Sequence, residues 1–113
     1  MMFSIDRSTI YLYQKPIHIN KSFEGLSTLV QDSFPGQLLT GRCFIFLNRY
    51  HNKMKILYWD SDGFVIFYKR LEKGRFYVGS DGKSELTRRE FQMLFEGIKP
   101  EKLERRFSLK KIT

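Results

Sequence analysis

The stretch of residues 42–76 limits most strongly what this chain can fold into, because it contains three short apolar runs separated by turn residues. Residues 43–47 and 64–68 are rich in aromatic and β-branched side chains, and residues 54–59 alternate between two faces, as strands do. The turn at 60–63 ends in a glycine, which can take the positive φ angle of a tight hairpin. Strands joined by turns this short are antiparallel. The stretch therefore predicts a β-meander.

Further strands are predicted on either side of these three. Residues 75–78 follow a turn that contains Gly74, and they indicate a fourth strand of the meander. Residues 9–13 indicate a strand near the start of the chain, which Pro16 brings to an end because proline cannot donate to a sheet. The sheet is therefore expected to have four or five strands.

Two helices complete the predicted fold. Residues 22–34 predict an amphipathic helix, and Gly25 within it indicates close packing on the sheet, because glycine costs a helix about 1 kcal/mol relative to alanine. Residues 87–97 predict a second helix that begins with Thr87 and Glu90 in the spacing of a capping box. Its apolar face consists of Phe91, Leu94, Phe95 and Ile98. The predicted fold class is α+β, an antiparallel β-meander of four to five strands with two packed helices.

Composition and length predict one domain without a membrane segment. A chain of 113 residues that is 42% hydrophobic and 16% aromatic can bury a core. We expect residues 1–98 to form a single domain and residues 99–113 to form a basic C-terminal tail or short helix. Neither a transmembrane window nor a secretion signal is visible. The one cysteine, Cys43, excludes an internal disulfide, fits a reducing cytoplasm, and is expected in the core.

The net charge points toward the class of partner. Twenty basic residues against twelve acidic ones give a formal charge of +8. This excess favours a polyanionic partner, most often nucleic acid, although ordinary solubility is an alternative explanation. The segment 99–113 contributes six basic residues and two acidic ones.

Basic residues alternate with aromatic residues in the central stretch, a pattern that suits phosphate contacts and base stacking. The candidate nucleic-acid-binding residues are Arg42, Arg49, Lys53, Lys55, Lys69, Arg70, Lys73 and Arg75. The alternative is that the aromatic residues form the core and the cations form its solvated face.

A small acidic group offers another interpretation. Asp60, Asp62 and Glu72 are the carboxylates that could bind a divalent metal in a nuclease, as two or three such groups do in metal-dependent hydrolysis. Asp60 and Asp62, however, lie in a predicted turn, where aspartate is common for backbone reasons alone. We therefore predict no catalytic residues, no metal site and no cofactor.

Three ordered motifs resemble one protein family. Residues 55–76 read KILYWDSDGFVIFYKRLEKGRF, residues 21–26 read KSFEGL, and Leu86-Thr87 is followed by LFEGI at residues 94–98. Together they resemble the small accessory proteins of insertion-sequence-66-type bacterial transposable elements, the second-frame protein called TnpB in that element type. The resemblance spans about residues 10–99.

The resemblance implies a role in transposition and does not supply a chemical activity. We therefore expect a non-enzymatic accessory factor of DNA transposition in the bacterial cytoplasm, with transposon-end DNA, the cognate transposase, or both as partners. Within the cations, Lys69, Arg70 and Arg75 are the first choices because they flank a turn and match the family pattern. The alternatives are a protein–protein adaptor without DNA contact and the small metal-dependent nuclease.

Overall fold

The computed structural model describes residues 10–79 and 81–98, which form a five-stranded sheet with one helix against each face. In chain order the elements are β1 (Ile10–Leu12), α1 (Phe23–Ser33), β2 (Phe44–Leu47), β3 (Lys53–Asp60), β4 (Gly63–Arg70), β5 (Glu85–Leu86) and α2 (Arg88–Glu96). The predicted tail at 99–113 lies outside the described residues. No helix in the described ranges is long and apolar enough to cross a membrane.

The strands lie in the order β4-β3-β2-β1-β5. Strands β2, β3 and β4 form the predicted meander, and β5 is also antiparallel to its neighbour β1. Strands β1 and β2 are parallel, with Tyr11 opposite Phe44. A parallel neighbour requires a crossover that returns the chain to the same end of the sheet, and α1 is that crossover. The α+β fold class is confirmed, with one parallel pair in a mostly antiparallel sheet.

The alternation in β3 divides the core into two layers. Met54 and Ile56 point to the face that α2 covers, and Leu57 points to the face that α1 covers. Strand β2 is buried on both faces, which explains its unbroken apolar sequence FIFL. Cys43 is buried in the α2 layer, as expected, and burial raises the pKa of its thiol to about 12.

The predicted strand at 75–78 is wrong, because residues 71–79 contain no strand. Phe76 is completely buried in the α2 layer, and its backbone N–H donates to the carbonyl of His51 at 2.6 Å. The segment therefore crosses the α2 side of the sheet and packs through a side chain. The strand that follows β4 is instead β5, whose two residues carry too short a pattern to be recognised.

Local signals set the ends of α2 as predicted. The Thr87 hydroxyl accepts from the backbone N–H of Glu90 at 3.1 Å, and the Glu90 carboxylate accepts from the N–H of Thr87 at 2.8 Å. Gly97 ends the helix in the left-handed conformation with φ 69°. Leu86 and Phe91 lie in one cluster on either side of the cap, as in a hydrophobic staple.

The expectation for Gly25 is wrong. A Cβ placed on this residue would meet the flexible side chain of Lys21, at 3.4 Å from its Cγ, with no sheet atom among its closest neighbours. The distance between α1 and the sheet would therefore also allow a larger residue at this position.

Candidate nucleic-acid interface

The turn between β2 and β3 is held by one buried side chain. Asn48 is 9% exposed, and its Oδ1 accepts from the backbone N–H groups of Asn52 and Lys53, both at 3.0 Å. Its Nδ2 donates to Oδ1 of Asn52 at 2.7 Å. These bonds fix the turn, which presents Arg49 and Tyr50 to solvent.

The chain that leaves β4 returns to this turn. The backbone N–H of Leu71 donates to the carbonyl of Asn52 at 2.8 Å, five residues before the Phe76 bond to His51. Lys73 and Arg75 lie in the sequence between these two hydrogen-bonded residues, and both are exposed. Segments 48–53 and 70–76 are therefore neighbours in space.

This arrangement brings five of the eight candidate cations to one end of the sheet. Lys53 and Arg70 are register partners at the start of β3 and the end of β4. We call the basic end the set of Arg49, Lys53, Arg70, Lys73 and Arg75. Lys53 is half-buried, and the other four residues are exposed.

Glu72 is the single carboxylate within these two segments. It forms an ion pair with Arg70, in which Nη2 lies 2.8 Å from Oε1, and both side chains are more than half exposed. Water screens such a pair, so it contributes little to stability. The Glu72 carboxylate raises the pKa of Arg70 and leaves the guanidinium charged. The basic end therefore has a strong positive excess.

Tyr50 adds an aromatic side chain to the basic end. It is 72% exposed, more than any other large hydrophobic side chain among the described residues. Tyr50 is one of the aromatic residues that alternate with cations in the central stretch, but the pattern did not single it out. The pattern also did not identify Asn48, which positions the turn. The available signal for Asn48 was its place immediately after an apolar strand, where asparagine commonly starts a turn.

Lys55 adjoins the basic end on the face covered by α1. Its Nζ donates to the carbonyl of Lys21, just before α1, at 2.8 Å and lies 5.3 Å from the ring centroid of Tyr68. Burial lowers the pKa of Lys55. These contacts tie the start of α1 to β3, so this cation has a structural partner.

Lys69 points to the opposite face of β4. Its Nζ donates to the carbonyl of Phe95 near the end of α2 at 2.7 Å and lies 3.9 Å from the centroid of the Phe95 ring. A cation at this position stabilises the negative end of the helix dipole. The structure separates Lys69 from the basic end although Arg70 follows it directly.

Arg42 lies at the other end of the sheet, before β2. Its Nη1 donates to the hydroxyl of Tyr11 at 3.0 Å and to Oε1 of Gln37 at 2.9 Å. These bonds hold the loop that follows α1. Arg42 is therefore not brought together with the five residues of the basic end.

The three carboxylates of the nuclease alternative do not converge. Asp60 and Asp62 belong to the hairpin at one end of β4, whereas Glu72 follows its other end. At about 3.3 Å per residue, the eight residues of β4 place them roughly 25 Å apart. Within the described ranges, no group of three or more potential metal ligands is present.

Comparisons with known proteins identify relatives of the chain. A family model described as IS66 Orf2-like protein matches residues 8–105. The uncharacterized protein y4jC of Sinorhizobium fredii (strain NBRC 101917 / NGR234) is 26% identical over 91 residues, which cover 79% of this chain and 78% of the relative. The uncharacterized protein y4hO of the same strain is 31% identical over 78 residues, which cover 67% and 68%. No solved structure matches the chain.

Proposed function

The chain belongs to the family of IS66 Orf2-like proteins, and from this premise we propose that it is a non-enzymatic accessory factor of DNA transposition that binds DNA through its basic end. The family implies a transposition-associated accessory role. The observation that supports a DNA contact is the convergence of Arg49, Lys53, Arg70, Lys73 and Arg75 around a single carboxylate.

The chemistry of the basic end suits a phosphate backbone. Arginine and lysine side chains that are exposed on a fixed turn can neutralise phosphates and release their counterions. Tyr50 can stack on a base that is unpaired or distorted at a DNA end. The six basic residues of segment 99–113 follow Ile98 directly in the sequence, and Gly97 lies against the backbone of Arg75. The described chain therefore ends close to the basic end, and six basic residues follow in the sequence.

The first experiment is DNA binding by fluorescence anisotropy across a salt series. It uses a transposon-end duplex and a scrambled duplex of equal length. Four to six phosphate contacts predict a slope of about −4 to −5 for the logarithm of the binding constant against the logarithm of the salt concentration. A preference for the end duplex would identify a recognition factor, whereas no binding at low salt would contradict the DNA contact.

A pair of double variants assigns the binding to the basic end. Lys73→Gln with Arg75→Gln should reduce the magnitude of the salt slope by about 2. The matched control, Arg88→Gln with Arg89→Gln, removes the same charge at the start of α2, beside β5 on the far edge of the sheet. Equal losses in the two double variants would show that net charge alone drives the binding.

The second candidate function is a contact with the transposase. Both proteins would meet in the cytoplasm. The contact is favoured by an exposed apolar pair beside Lys55, in which Phe23 is 44% exposed and Tyr68 is 50% exposed. Both lie near the Lys55 bond to Lys21, beside the basic end and not among its five cations. A pull-down with the cognate transposase should lose signal with Phe23→Ser and retain it with Lys73→Gln.

A further inference from the structure

Strand β4 forms an open edge of the sheet. It is outermost in the strand order, and no strand lies beyond it in the described part of the chain. The opposite edge, β5, has only two residues, whereas β4 has eight. Natural proteins protect long edges with proline, bulges or charges. Strand β4 has no proline, an unbroken register with β3, and no charge before Lys69.

The backbone of β4 directs alternate residues outward. Leu71, just after the strand, donates its N–H to Asn52 on the β3 side. Because backbone direction alternates along a strand, Val65, Phe67 and Lys69 also point their N–H and C=O groups toward β3. The residues that point theirs away from the sheet are Phe64, Ile66, Tyr68 and Arg70. This edge therefore offers a row of donors and acceptors to another strand.

The charges on this edge match those of a second β4 only when the two strands run antiparallel. Asp60 and Asp62 come immediately before β4, and Lys69 and Arg70 end it. A second β4 laid antiparallel brings the acidic end of each strand to the basic end of the other. A parallel copy would place like charges side by side.

We propose that β4 pairs antiparallel with β4 of a second copy of this chain, around a two-fold axis at Ile66. Outward-directed residues pair with one another in an antiparallel ladder, so the even-numbered residues must face each other. A register centred on Ile66 sets Tyr68 opposite Phe64 and Arg70 opposite Asp62. The two sheets become one continuous sheet, with an isologous interface.

The cross-strand contacts of this register suit their side chains. Tyr68 and Phe64 form an aromatic pair on each side of the axis, a favourable combination between antiparallel strands. Arg70 bonds Glu72 through Nε and Nη2. A guanidinium carries five N–H donors, so Arg70 can also donate to the Asp62 carboxylate of the second copy.

Amide hydrogen exchange tests the pairing without any variant and without DNA. The amides of Ile66 and Tyr68 should be protected in concentrated protein and lose that protection on dilution. The amides of Phe67 and Lys69, which face β3, should stay protected at every concentration and serve as the internal control. Rapid exchange of Ile66 and Tyr68 at all concentrations, or their protection in a monomer, would overturn the proposal.

A backbone variant tests the same edge by mass. Tyr68→Pro removes an outward N–H, which an edge strand tolerates, and Tyr68→Thr removes the same side chain but keeps that N–H. Sedimentation should give twice the 13.6 kDa chain mass for the wild type and for Tyr68→Thr at high concentration, and the chain mass for Tyr68→Pro. A dimer that survives Tyr68→Pro would place the interface elsewhere.

Charge exchange tests the register. Asp62→Arg sets two arginines against each other on both sides of the axis and should dissociate the dimer. Adding Arg70→Asp restores opposite charges and should restore the dimer mass. A double variant as monomeric as Asp62→Arg would contradict the register centred on Ile66.

Discussion

Lys69 lies between the carbonyl of Phe95 and its aromatic ring, and both contacts depend on the lysine charge. Lys73, four residues later, is exposed on the segment that packs against the β2–β3 turn. Residues of one type in one basic run therefore have different roles. At the scale of single residues, stability and binding can be separated experimentally.

Lys69→Met should lower the free energy of unfolding by about 1 kcal/mol, because it removes a charge-assisted bond to the end of α2 while keeping the aliphatic stem. Lys73→Met should stay within about 0.5 kcal/mol of the wild type. Urea denaturation measures both. In DNA binding the order reverses: Lys73→Met reduces the magnitude of the salt slope by about 1 and Lys69→Met does not. Equal effects of the two variants on both readouts would contradict this division.

Replacing Gly25 and Gly97 by alanine should change the free energy of unfolding in opposite directions. Gly25→Ala should raise the free energy of unfolding by about 0.5 kcal/mol, because alanine favours the helix and its Cβ meets only the Lys21 side chain. Gly97→Ala should lower it by about 1 kcal/mol, because φ is 69° there. Denaturation midpoints of the two variants check both signs. A destabilised Gly25→Ala would show that α1 requires the glycine for packing.

At the scale of elements, α2 depends on its N-terminal cap. Thr87 and Glu90 satisfy each other's backbone N–H groups, and the Glu90 carboxylate also receives Nζ of Lys83 at 2.8 Å. The Lys83 bond, followed by the bonds to Thr87, lowers the pKa of Glu90. The cap thus joins the helix to the loop before β5.

Substitutions at Thr87 and Glu90 test how much the N-terminal cap of α2 contributes to the free energy of unfolding. Thr87→Ala should cost about 1 kcal/mol, because the N–H of Glu90 loses its acceptor. Glu90→Gln should cost less, because the amide oxygen can still accept from Thr87 while the Lys83 ion pair is lost. Thermal or urea unfolding of the two variants at neutral pH measures the difference.

The lowered pKa of Glu90 also predicts a pH dependence. A carboxyl group with a lower pKa in the folded state contributes stability above its unfolded pKa of about 4.3 and loses that contribution as pH falls through the folded value. The wild type should therefore lose more stability than Glu90→Gln when pH falls below about 4.3. Parallel acid-side stability curves for the two proteins would contradict the assignment to Glu90.

At the scale of the whole molecule, the sheet is electrically polar along its strands. The basic end lies where β4 finishes, and Asp60 and Asp62 form the hairpin where β4 begins. The separation of roughly 25 Å exceeds the screening length of about 10 Å at 0.1 M salt. Within a single copy, the two ends therefore act on a charged ligand almost independently.

This polarity predicts the outcome of neutralising the hairpin. In protein dilute enough to be monomeric, Asp60→Asn with Asp62→Asn should change the DNA-binding constant by less than about twofold at 0.1 M salt, because within one copy the change lies beyond the screening length from the basic end. Lys73→Gln with Arg75→Gln changes charge by the same amount and should weaken binding strongly. Anisotropy titrations compare them, and a large gain in affinity from the hairpin variant would show that DNA contacts both ends.

The sequence by itself determined the elements of this fold that depend on local signals. The two-residue alternation identifies β3, the capping box identifies the start of α2, and Gly97 identifies its end. Each signal lies within a few residues of the structure that it specifies. The β3–β4 hairpin follows for the same reason, since a short turn leaves its strands only one way to pair. Family motifs added the context of transposition.

Only the tertiary structure decided which residues meet over long distances. Whether β1 lies parallel to β2, and whether residues 75–78 pair or pack, depends on contacts with distant residues. The register of β3 with β4 places Lys53 beside Arg70, and the pleat sends Lys69 to the other face. Arg42 was one of eight similar cations in the sequence. Its partners Tyr11 and Gln37 are its neighbours only because of the tertiary fold, which places β1 beside β2. Side-chain direction and strand pairing, which no local pattern encodes, therefore divided the cations into a basic end and structural contacts.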